Sequence, residues 1–94
     1  MKNNVNVDTL YKAILKLKTV EECHNFFDDL CTIMEIESMS QRLLVAKLLS
    51  KNEVYSEIAK KTGASTATIS RVARCLNHGA EGYTMILERL KEDE

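Results

Sequence analysis

The stretch that most constrains the fold of this chain is YSEIAKKTGASTATISRVARCL, residues 55–76. Its first part predicts a helix that carries Ile58 and Ala59, and a tight turn follows at Gly63. In its second part apolar residues recur at i, i+3, i+4 and i+7, the spacing of one face of an α-helix. These residues are Ile69, Val72, Ala73 and Leu76. The stretch therefore predicts two short helices that pack against each other across a turn.

The residue types in this stretch favour a helix-turn-helix at about residues 53–77. A small side chain at Ala59 lets the two helices approach each other closely. Gly63 can leave the right-handed helical region without a steric penalty from a Cβ atom. Ser65 is a suitable N-cap, because its hydroxyl can accept a hydrogen bond from an early backbone N–H. An ordinary hairpin of two helices with a glycine turn is the alternative that this spacing leaves open.

Composition predicts an all-α chain that forms a single domain over residues 1–94. There is no proline, and the only glycines are Gly63, Gly79 and Gly82, so few residues interrupt helices. Hydrophobic residues make up 45% of the chain, which argues against disorder except at the ends. The core of so small a chain is modest, and sharing it with a second copy would add stability.

Apolar spacing and capping patterns predict three helices before the helix-turn-helix. The first spans residues 8–17, and the second opens at the capping box Thr19-Val-Glu-Glu22. A further capping box, Ser38-Met-Ser-Gln41, is expected to open a third helix over residues 38–50 after a short connection. That helix is apolar nearly all round, so it needs cover on every side. The expected cover is a partner subunit.

After the helix-turn-helix, Asn77-His78-Gly79 is expected to stop the second of its helices. A last amphipathic helix is then marked by Tyr83, Ile86, Leu87 and Leu90.

Charge is distributed unevenly along the chain, although its net value is only −1. Residues 1–37 carry four lysines and seven acidic residues, net −3, and residues 79–94 carry two basic and five acidic residues, net −3. Between them, residues 38–50 have a net charge of +2, and residues 51–78 hold five basic and two acidic residues, net +3. A DNA backbone responds to local positive charge, because salt screens charges more than about 10 Å away. Ordinary solvated helix faces give the same pattern, so charge alone does not decide.

The outward face of the second helix of the helix-turn-helix suits DNA. Thr66, Ala67 and Ser70 are small, so the first turn can come close to base edges and contact thymine methyl groups or hydrogen-bond with bases. Arg71 and Arg74 suit phosphates, although an arginine can also bind guanine in a bidentate manner. The alternative for any basic residue on a helix is simple solvation. The full set of predicted DNA-binding residues is Tyr55, Ser56, Lys60, Lys61, Ser65, Thr66, Ala67, Thr68, Ser70, Arg71 and Arg74.

No pattern indicates an enzyme, a metal site or a cofactor. His24 borders an apolar helix face and His78 lies at a helix C-terminus, where an imidazolium favours the helix dipole. The isolated glycines exclude a glycine-rich phosphate loop. Cys23, Cys31 and Cys75 lack metal-ligand spacing, and an odd count without a secretory segment predicts a reducing cytoplasm. No apolar stretch reaches transmembrane length, so a cytoplasmic location without membrane attachment is expected.

From about Phe27 to Leu90 the chain resembles the Trp repressor superfamily, in particular its YerC/YecD-type members. The resemblance is carried by LLVAKLLSKNEVYSEIAKKTGASTATISR, residues 43–71, and by the terminal amphipathic helix; GASTATISR is its most specific part. It implies a six-helix, Trp repressor-like fold in which two chains intertwine through the first three helices and the last. It also implies a transcriptional repressor that binds a palindromic operator in double-stranded DNA as a homodimer. Its two helix-turn-helix heads would enter successive major grooves about 34 Å apart.

The resemblance does not extend to the effector site of the family. Thr68 and Arg71 match residues that hold tryptophan in Trp repressor, but Val72 stands where the family pocket has a glycine. A second arginine that binds the ligand carboxylate falls on Gln41 here. A valine side chain fills space that an indole needs, and a lost charge-assisted hydrogen bond costs about 1.5–3 kcal/mol. We therefore expect no response to tryptophan, and no residue pattern supports another small effector.

A helix-turn-helix fold can also act as a protein-interaction module without direct DNA binding, and the near-neutral net charge of −1 favours that alternative. The two functions differ in salt dependence, because each neutralised phosphate adds about −0.9 to the slope of log affinity against log salt concentration.

Overall fold

The computed structural model describes residues 4–93, and within this range the chain forms six α-helices and no strand. The helices are α1 (Val5–Ile14), α2 (Val20–Leu30), α3 (Ile33–Ser50), α4 (Tyr55–Thr62), α5 (Thr66–His78) and α6 (Gly82–Lys91). The prediction of an all-α, six-helix chain is confirmed. Contacts between residues divide the chain after Ile36 into two compact units.

In the first unit, side-chain caps fix where α1 and α2 begin. Asn4 Oδ1 accepts hydrogen bonds from two backbone N–H groups of the first turn of α1, at 2.9 and 3.2 Å. Consequently α1 lies three residues earlier than the predicted span of 8–17. The predicted capping of α2 is confirmed, because Thr19 Oγ1 accepts from the Glu22 N–H at 3.0 Å. The Glu22 carboxylate in turn accepts from the N–H of Lys18 at 2.8 Å.

The predicted start of α3 at Ser38 is wrong, because α3 begins at Ile33. Thr32 Oγ1 accepts from the N–H of Glu35 at 3.1 Å, and the Glu35 carboxylate accepts from the N–H of Thr32 at 2.8 Å. This reciprocal pair satisfies two N–H groups that would otherwise lack partners at the helix start. Ser38 lies inside the helix, where its hydroxyl accepts from Arg42 Nη1 at 3.3 Å.

The first unit covers few of its apolar side chains. Neither α1 nor α2 contains a buried residue. The rings of Phe26 and Phe27 meet edge to face, with centroids 5.6 Å apart, yet both residues are only half-buried. Leu15 is 81% exposed. Apolar surface of this kind calls for cover from outside the unit.

The second unit has a compact core to which each of its helices contributes. Its buried residues are Val45 and Ala46 of α3, Ile58 of α4, Ala64 of the following turn, Ile69 and Val72 of α5, and Leu87 of α6. Burying a valine, leucine or isoleucine side chain stabilises a fold by about 1.5–3 kcal/mol. Leu76 and Tyr83 pack against this core. The predicted inward face of α5 is thereby confirmed, with Ala73 half-buried at its edge.

The helix α5 ends where the sequence predicts, but the glycine that follows it does not adopt the left-handed conformation typical of a helix stop. α5 ends at His78, and Gly79 follows with φ −87° and ψ −156°, outside the left-handed region. A Cβ atom at Gly79 would collide with the carbonyl oxygen of Cys75, which explains why a glycine stands there. The left-handed residue before α6 is Glu81, with φ 68°.

Candidate nucleic-acid interface

The turn between α4 and α5 is fixed by backbone and hydroxyl hydrogen bonds. Gly63 adopts the predicted left-handed conformation, with φ 73° and ψ 5°. Its N–H donates to the carbonyl oxygen of Ala59 at 2.8 Å. The Thr62 hydroxyl donates to the carbonyl oxygen of Ile58 at 2.7 Å and accepts from the N–H of Ala64 at 3.1 Å. These contacts set the direction in which α5 leaves the turn.

Ser65 caps the start of α5, as its residue type predicts. Its side-chain oxygen accepts from the N–H of Thr68 at 3.1 Å, and its hydroxyl donates to Thr68 Oγ1 at 3.1 Å. The first N–H groups of a helix have no partner within the helix, and they carry the positive end of its dipole. Since Ser65 engages only the N–H of Thr68, those of Thr66 and Ala67 remain available to a group that approaches the helix end.

The two faces of α5 differ sharply in burial. Ile69 and Val72 are each 1% exposed and belong to the core. The opposite face carries Thr66, Ala67, Ser70, Arg71 and Arg74, all of them exposed. Within residues 4–93, none of these five side chains has a hydrogen-bond or ion-pair partner. Both arginines are therefore able to bind an external anion without first breaking a contact.

In α4, Ile58 faces the core and the predicted DNA-binding residues face solvent. Of the eleven residues predicted from the sequence, Thr68 alone is half-buried. The other ten are exposed, and we call them the α4–α5 surface: Tyr55, Ser56, Lys60, Lys61, Ser65, Thr66, Ala67, Ser70, Arg71 and Arg74.

The two lysines of the α4–α5 surface differ in their surroundings. Lys61 Nζ donates to Glu53 Oε1 at 2.6 Å and forms a salt bridge with it. This hydrogen bond and the negative charges of Glu53 and Glu57 raise the pKa of Lys61 above its ordinary value. Lys60 has no such partner within the described part of the chain.

Sequence reasoning missed the role of Glu53. It lies in the α3–α4 turn rather than on α4, so no helical spacing connects it to Lys61. The turn is shaped by Asn52, which has φ 63°. Asparagine tolerates this left-handed conformation better than most residues, so Asn52 is a signal from which a reversal here could have been predicted.

The residues compared with the family's effector pocket have other roles in this chain. Gln41 Nε2 donates to the carbonyl oxygen of Thr62 at 3.1 Å and so connects α3 to the end of α4. Val72 is part of the core, and Thr68 belongs to the cap of α5. Only Arg71 presents a free, exposed side chain.

Residues 4–93 give little support for a metal site or a membrane-spanning helix. No group of three or more His, Cys, Asp or Glu residues could hold a metal ion there. None of the helices in that range is sufficiently long and apolar to cross a membrane. The thiols are free, with Cys23 and Cys31 half-buried and Cys75 exposed.

Comparison with known proteins gives consistent matches in sequence and in structure. The family described as Trp repressor protein matches the chain over residues 5–91. The uncharacterized protein YerC of Bacillus subtilis strain 168 is 58% identical over 88 residues, which cover 94% of this chain and 85% of YerC. The Trp operon repressor homolog of Chlamydia caviae is 42% identical over 62 residues, or 65% of this chain and 61% of that protein.

A solved structure is similar to this chain over most of its length. The crystal structure of a TrpR-like protein from Eubacterium eligens superimposes with a TM-score of 0.92 at 54% sequence identity. The match covers 95% of this chain and 92% of that one.

Proposed function

This chain belongs to the Trp repressor family and has its six-helix, all-α fold, and on that basis we propose that it is a sequence-specific, DNA-binding transcriptional repressor. Family and fold are those of transcription regulators rather than of enzymes. A relative named as a Trp operon repressor homolog supports the same function. The observation that carries the proposal is the outward face of α5, where small polar side chains stand beside two unpaired arginines, Arg71 and Arg74.

Recognition of bases is assigned to the first turns of α5. The exposed side chains there are Thr66, Ala67 and Ser70, and all are small, so the helix can enter a major groove without a steric barrier. Their hydroxyl and methyl groups suit hydrogen bonds with base edges and contacts with thymine methyl groups. In the helix-turn-helix of Trp repressor itself, the second helix likewise lies in the major groove.

Binding to the phosphate backbone is assigned to residues around this helix end. Arg71 and Arg74 lie further along α5, and Lys60 lies near the end of α4. Tyr55 and Ser56, at the start of α4, add exposed hydroxyl groups. Contacts of these types fix register and orientation on the duplex but do not by themselves select a sequence.

We propose further that the protein acts as a homodimer on a palindromic operator. Apolar residues of α1, α2 and α3 are exposed, among them Val5, Val20 and Met34. A second copy would bury such residues and would place two α5 helices about 34 Å apart, one helical turn of DNA. A two-fold symmetric protein calls for a two-fold symmetric site, which is a palindrome.

The proposal is tested by selecting bound duplexes from a random pool and then measuring the affinity of variants for the selected duplex. Arg71→Ala and Arg74→Ala should each weaken binding to every duplex and make the slope of log affinity against log salt concentration shallower by about 0.9, as the loss of one phosphate contact does. Arg89→Ala, which removes the same side chain from α6, is the control and should bind as the wild type does. Circular dichroism should show equal helix content in all of them. Equal affinity of wild type and both arginine variants would remove Arg71 and Arg74 from the interface.

A protein-interaction module without DNA binding is the second candidate, favoured by the net charge of −1. The salt dependence of binding affinity distinguishes the two functions. Duplex binding predicts a fall in affinity with a log–log slope of about −0.9 for each neutralised phosphate. If the selection yields no duplex whose binding is salt-sensitive, the interaction module is the better explanation.

We also propose that tryptophan is not the effector of this protein. Val72, at the position of a glycine in the family pocket, is buried in the core. Gln41, at the position of an arginine in the family, donates a hydrogen bond to the carbonyl oxygen of Thr62. Isothermal calorimetry with L-tryptophan should therefore show no heat of binding. Stoichiometric binding in the micromolar range would contradict this proposal.

A further inference from the structure

The α4–α5 surface contains one cation that is already neutralised. Lys61 Nζ lies 2.6 Å from Glu53 Oε1, so the two side chains form a short hydrogen bond between opposite charges. The other cations of the surface, Lys60, Arg71 and Arg74, have no ion-pair partner within the described residues. We propose that Glu53 keeps Lys61 from binding the DNA backbone and so limits the affinity of the protein for any duplex; this inference rests on the proposed DNA-binding function.

The backbone around Glu53 is fixed, so the carboxylate rather than the lysine determines where the pair forms. The Glu53 N–H donates to the carbonyl oxygen of Leu48 at 3.2 Å, and the Asn52 N–H donates to that of Leu49 at 2.9 Å. The Glu53 side chain is 25% exposed, whereas that of Lys61 is 52% exposed. The flexible lysine therefore reaches a carboxylate that the α3–α4 turn holds in place.

The acidic residues near this pair favour retention of the lysine. Residues 51–78 contain two carboxylates, Glu53 and Glu57, and both attract Lys61. Glu53 does so through direct contact, and Glu57 acts only through its charge. A phosphate that approaches Lys61 must replace the Glu53 carboxylate and would then face it as a like charge.

If Lys61 is masked, the α4–α5 surface makes one phosphate contact fewer than its number of lysines and arginines suggests. Affinity for DNA depends on the number of phosphates neutralised, because each contact releases condensed counterions. Such contacts are independent of sequence. A masked Lys61 thus lowers specific and non-specific affinity by the same factor, and it makes the salt dependence shallower.

The test measures duplex affinity against salt concentration for wild type, Glu53→Gln, Lys61→Gln and the double variant. Glu53→Gln should steepen the log–log slope by about 0.9, since one more phosphate is neutralised. Its gain in affinity over wild type should then be about 3.5-fold larger at 50 mM than at 200 mM salt. Lys61→Gln leaves the Glu53 carboxylate without a counter-charge, so its slope should be no steeper than that of wild type, and the double variant should lose the gain of Glu53→Gln.

Two controls make the outcome specific. Glu88→Gln removes the same charge from α6, and it should leave the slope unchanged if the effect is local rather than a result of net charge. A selected duplex and a non-specific duplex are measured in parallel, and Glu53→Gln should raise affinity for both by the same factor.

Three results would overturn the inference. The first is a slope for Glu53→Gln equal to that of wild type. The second is a double variant with the same slope as Glu53→Gln, because that result means the released Lys61 binds no phosphate. Either of these, with salt-dependent binding by the wild type, leaves the proposed function intact. The third is an absence of salt-dependent binding by wild type and all variants, which removes the proposed function as well.

Discussion

At the scale of single residues, two glycines end helices for different physical reasons. Gly63 has φ 73°, a conformation that a Cβ atom disfavours through contact with the residue's own backbone. A Cβ atom built at Gly63 meets no other atom within 4 Å, so space around the residue is not the constraint. At Gly79 the backbone is extended, and the constraint is the carbonyl oxygen of Cys75.

Substitution of Gly63 should therefore test backbone conformation alone. Gly63→Val should lower the free energy of unfolding by about 1–2 kcal/mol or more, because a branched side chain is strained at positive φ. The melting temperature should fall by about 4–8 °C for each kcal/mol in a chain of this size. Gly63→Asn should lose less, because asparagine tolerates the left-handed region.

Gly82→Ala is the matched control for that prediction. A Cβ atom at Gly82 also meets no atom within 4 Å, but this residue is the first of α6 and its φ is not positive. The variant should melt at the wild-type temperature or slightly above, because alanine is a better helix former than glycine. An unchanged melting temperature for Gly63→Val would count against the constraint at that turn.

Residue types predicted the α4–α5 turn well because its requirements are local. The left-handed conformation of Gly63 and the cap at Ser65 depend on atoms within a few positions along the chain. The contact of Glu53 with Lys61 and that of Gln41 with Thr62 depend on how the chain folds back. Spacing in the sequence does not contain that information, so both contacts were missed.

At the scale of elements, the start of α3 shows how one capping pattern competes with another. Thr32-Ile-Met-Glu35 and Ser38-Met-Ser-Gln41 both match the capping-box pattern. The structure uses the first, with both of its reciprocal hydrogen bonds formed. In the second, the Gln41 side chain is engaged with the end of α4 instead. The earlier pattern makes α3 an 18-residue helix, longer than the predicted span of 38–50.

The cap of α3 gives an expected dependence of stability on pH. Hydrogen bonds from the backbone and side chain of Thr32 lower the pKa of Glu35 below its ordinary value of 4.5. A group with a lowered pKa in the folded state stabilises the fold above its unfolded pKa and loses that effect as pH falls through the folded pKa. This contribution should therefore be complete above pH 4.5 and should disappear below it.

Glu35→Gln tests this dependence, since glutamine fills the same space without titrating. Chemical denaturation of both proteins should show the largest difference in unfolding free energy above pH 4.5, and the difference should shrink as pH falls below that value. The remaining carboxylates are common to both proteins and cancel in the comparison. A difference that stays constant with pH would mean that ionisation of Glu35 does not stabilise the cap.

At the scale of the whole molecule, exposed apolar side chains support the proposed homodimer. Within residues 4–93 the buried residues all lie between Val45 and Leu87, and α1 and α2 contribute none. The apolar character of α3 was visible in the sequence and predicted a covering partner. In the structure the chain itself covers part of α3: Val45 and Ala46 are buried, whereas Leu43 and Leu44 are exposed.

Sedimentation equilibrium should show a dimer for the wild type. Leu44→Asp should shift the protein toward monomer and weaken duplex binding, because it places a charge where a partner would bury an apolar side chain. Leu44→Met, which keeps an apolar side chain of similar volume, should remain dimeric. A monomeric wild type at the concentrations that give operator binding would contradict the homodimer.

The two faces of α5 separate residues whose identity the core constrains from residues that are free to vary. Ile69 and Val72 are buried in the core, whereas Thr66, Ala67 and Ser70 are exposed, and their side chains form no hydrogen bond or ion pair within the described part of the chain. Mutations at those three exposed positions should cost little stability, so under the proposed function a lineage can acquire a new target sequence without passing through an unstable ancestor. Divergence of regulons among relatives with nearly superimposable backbones is the expected evolutionary result.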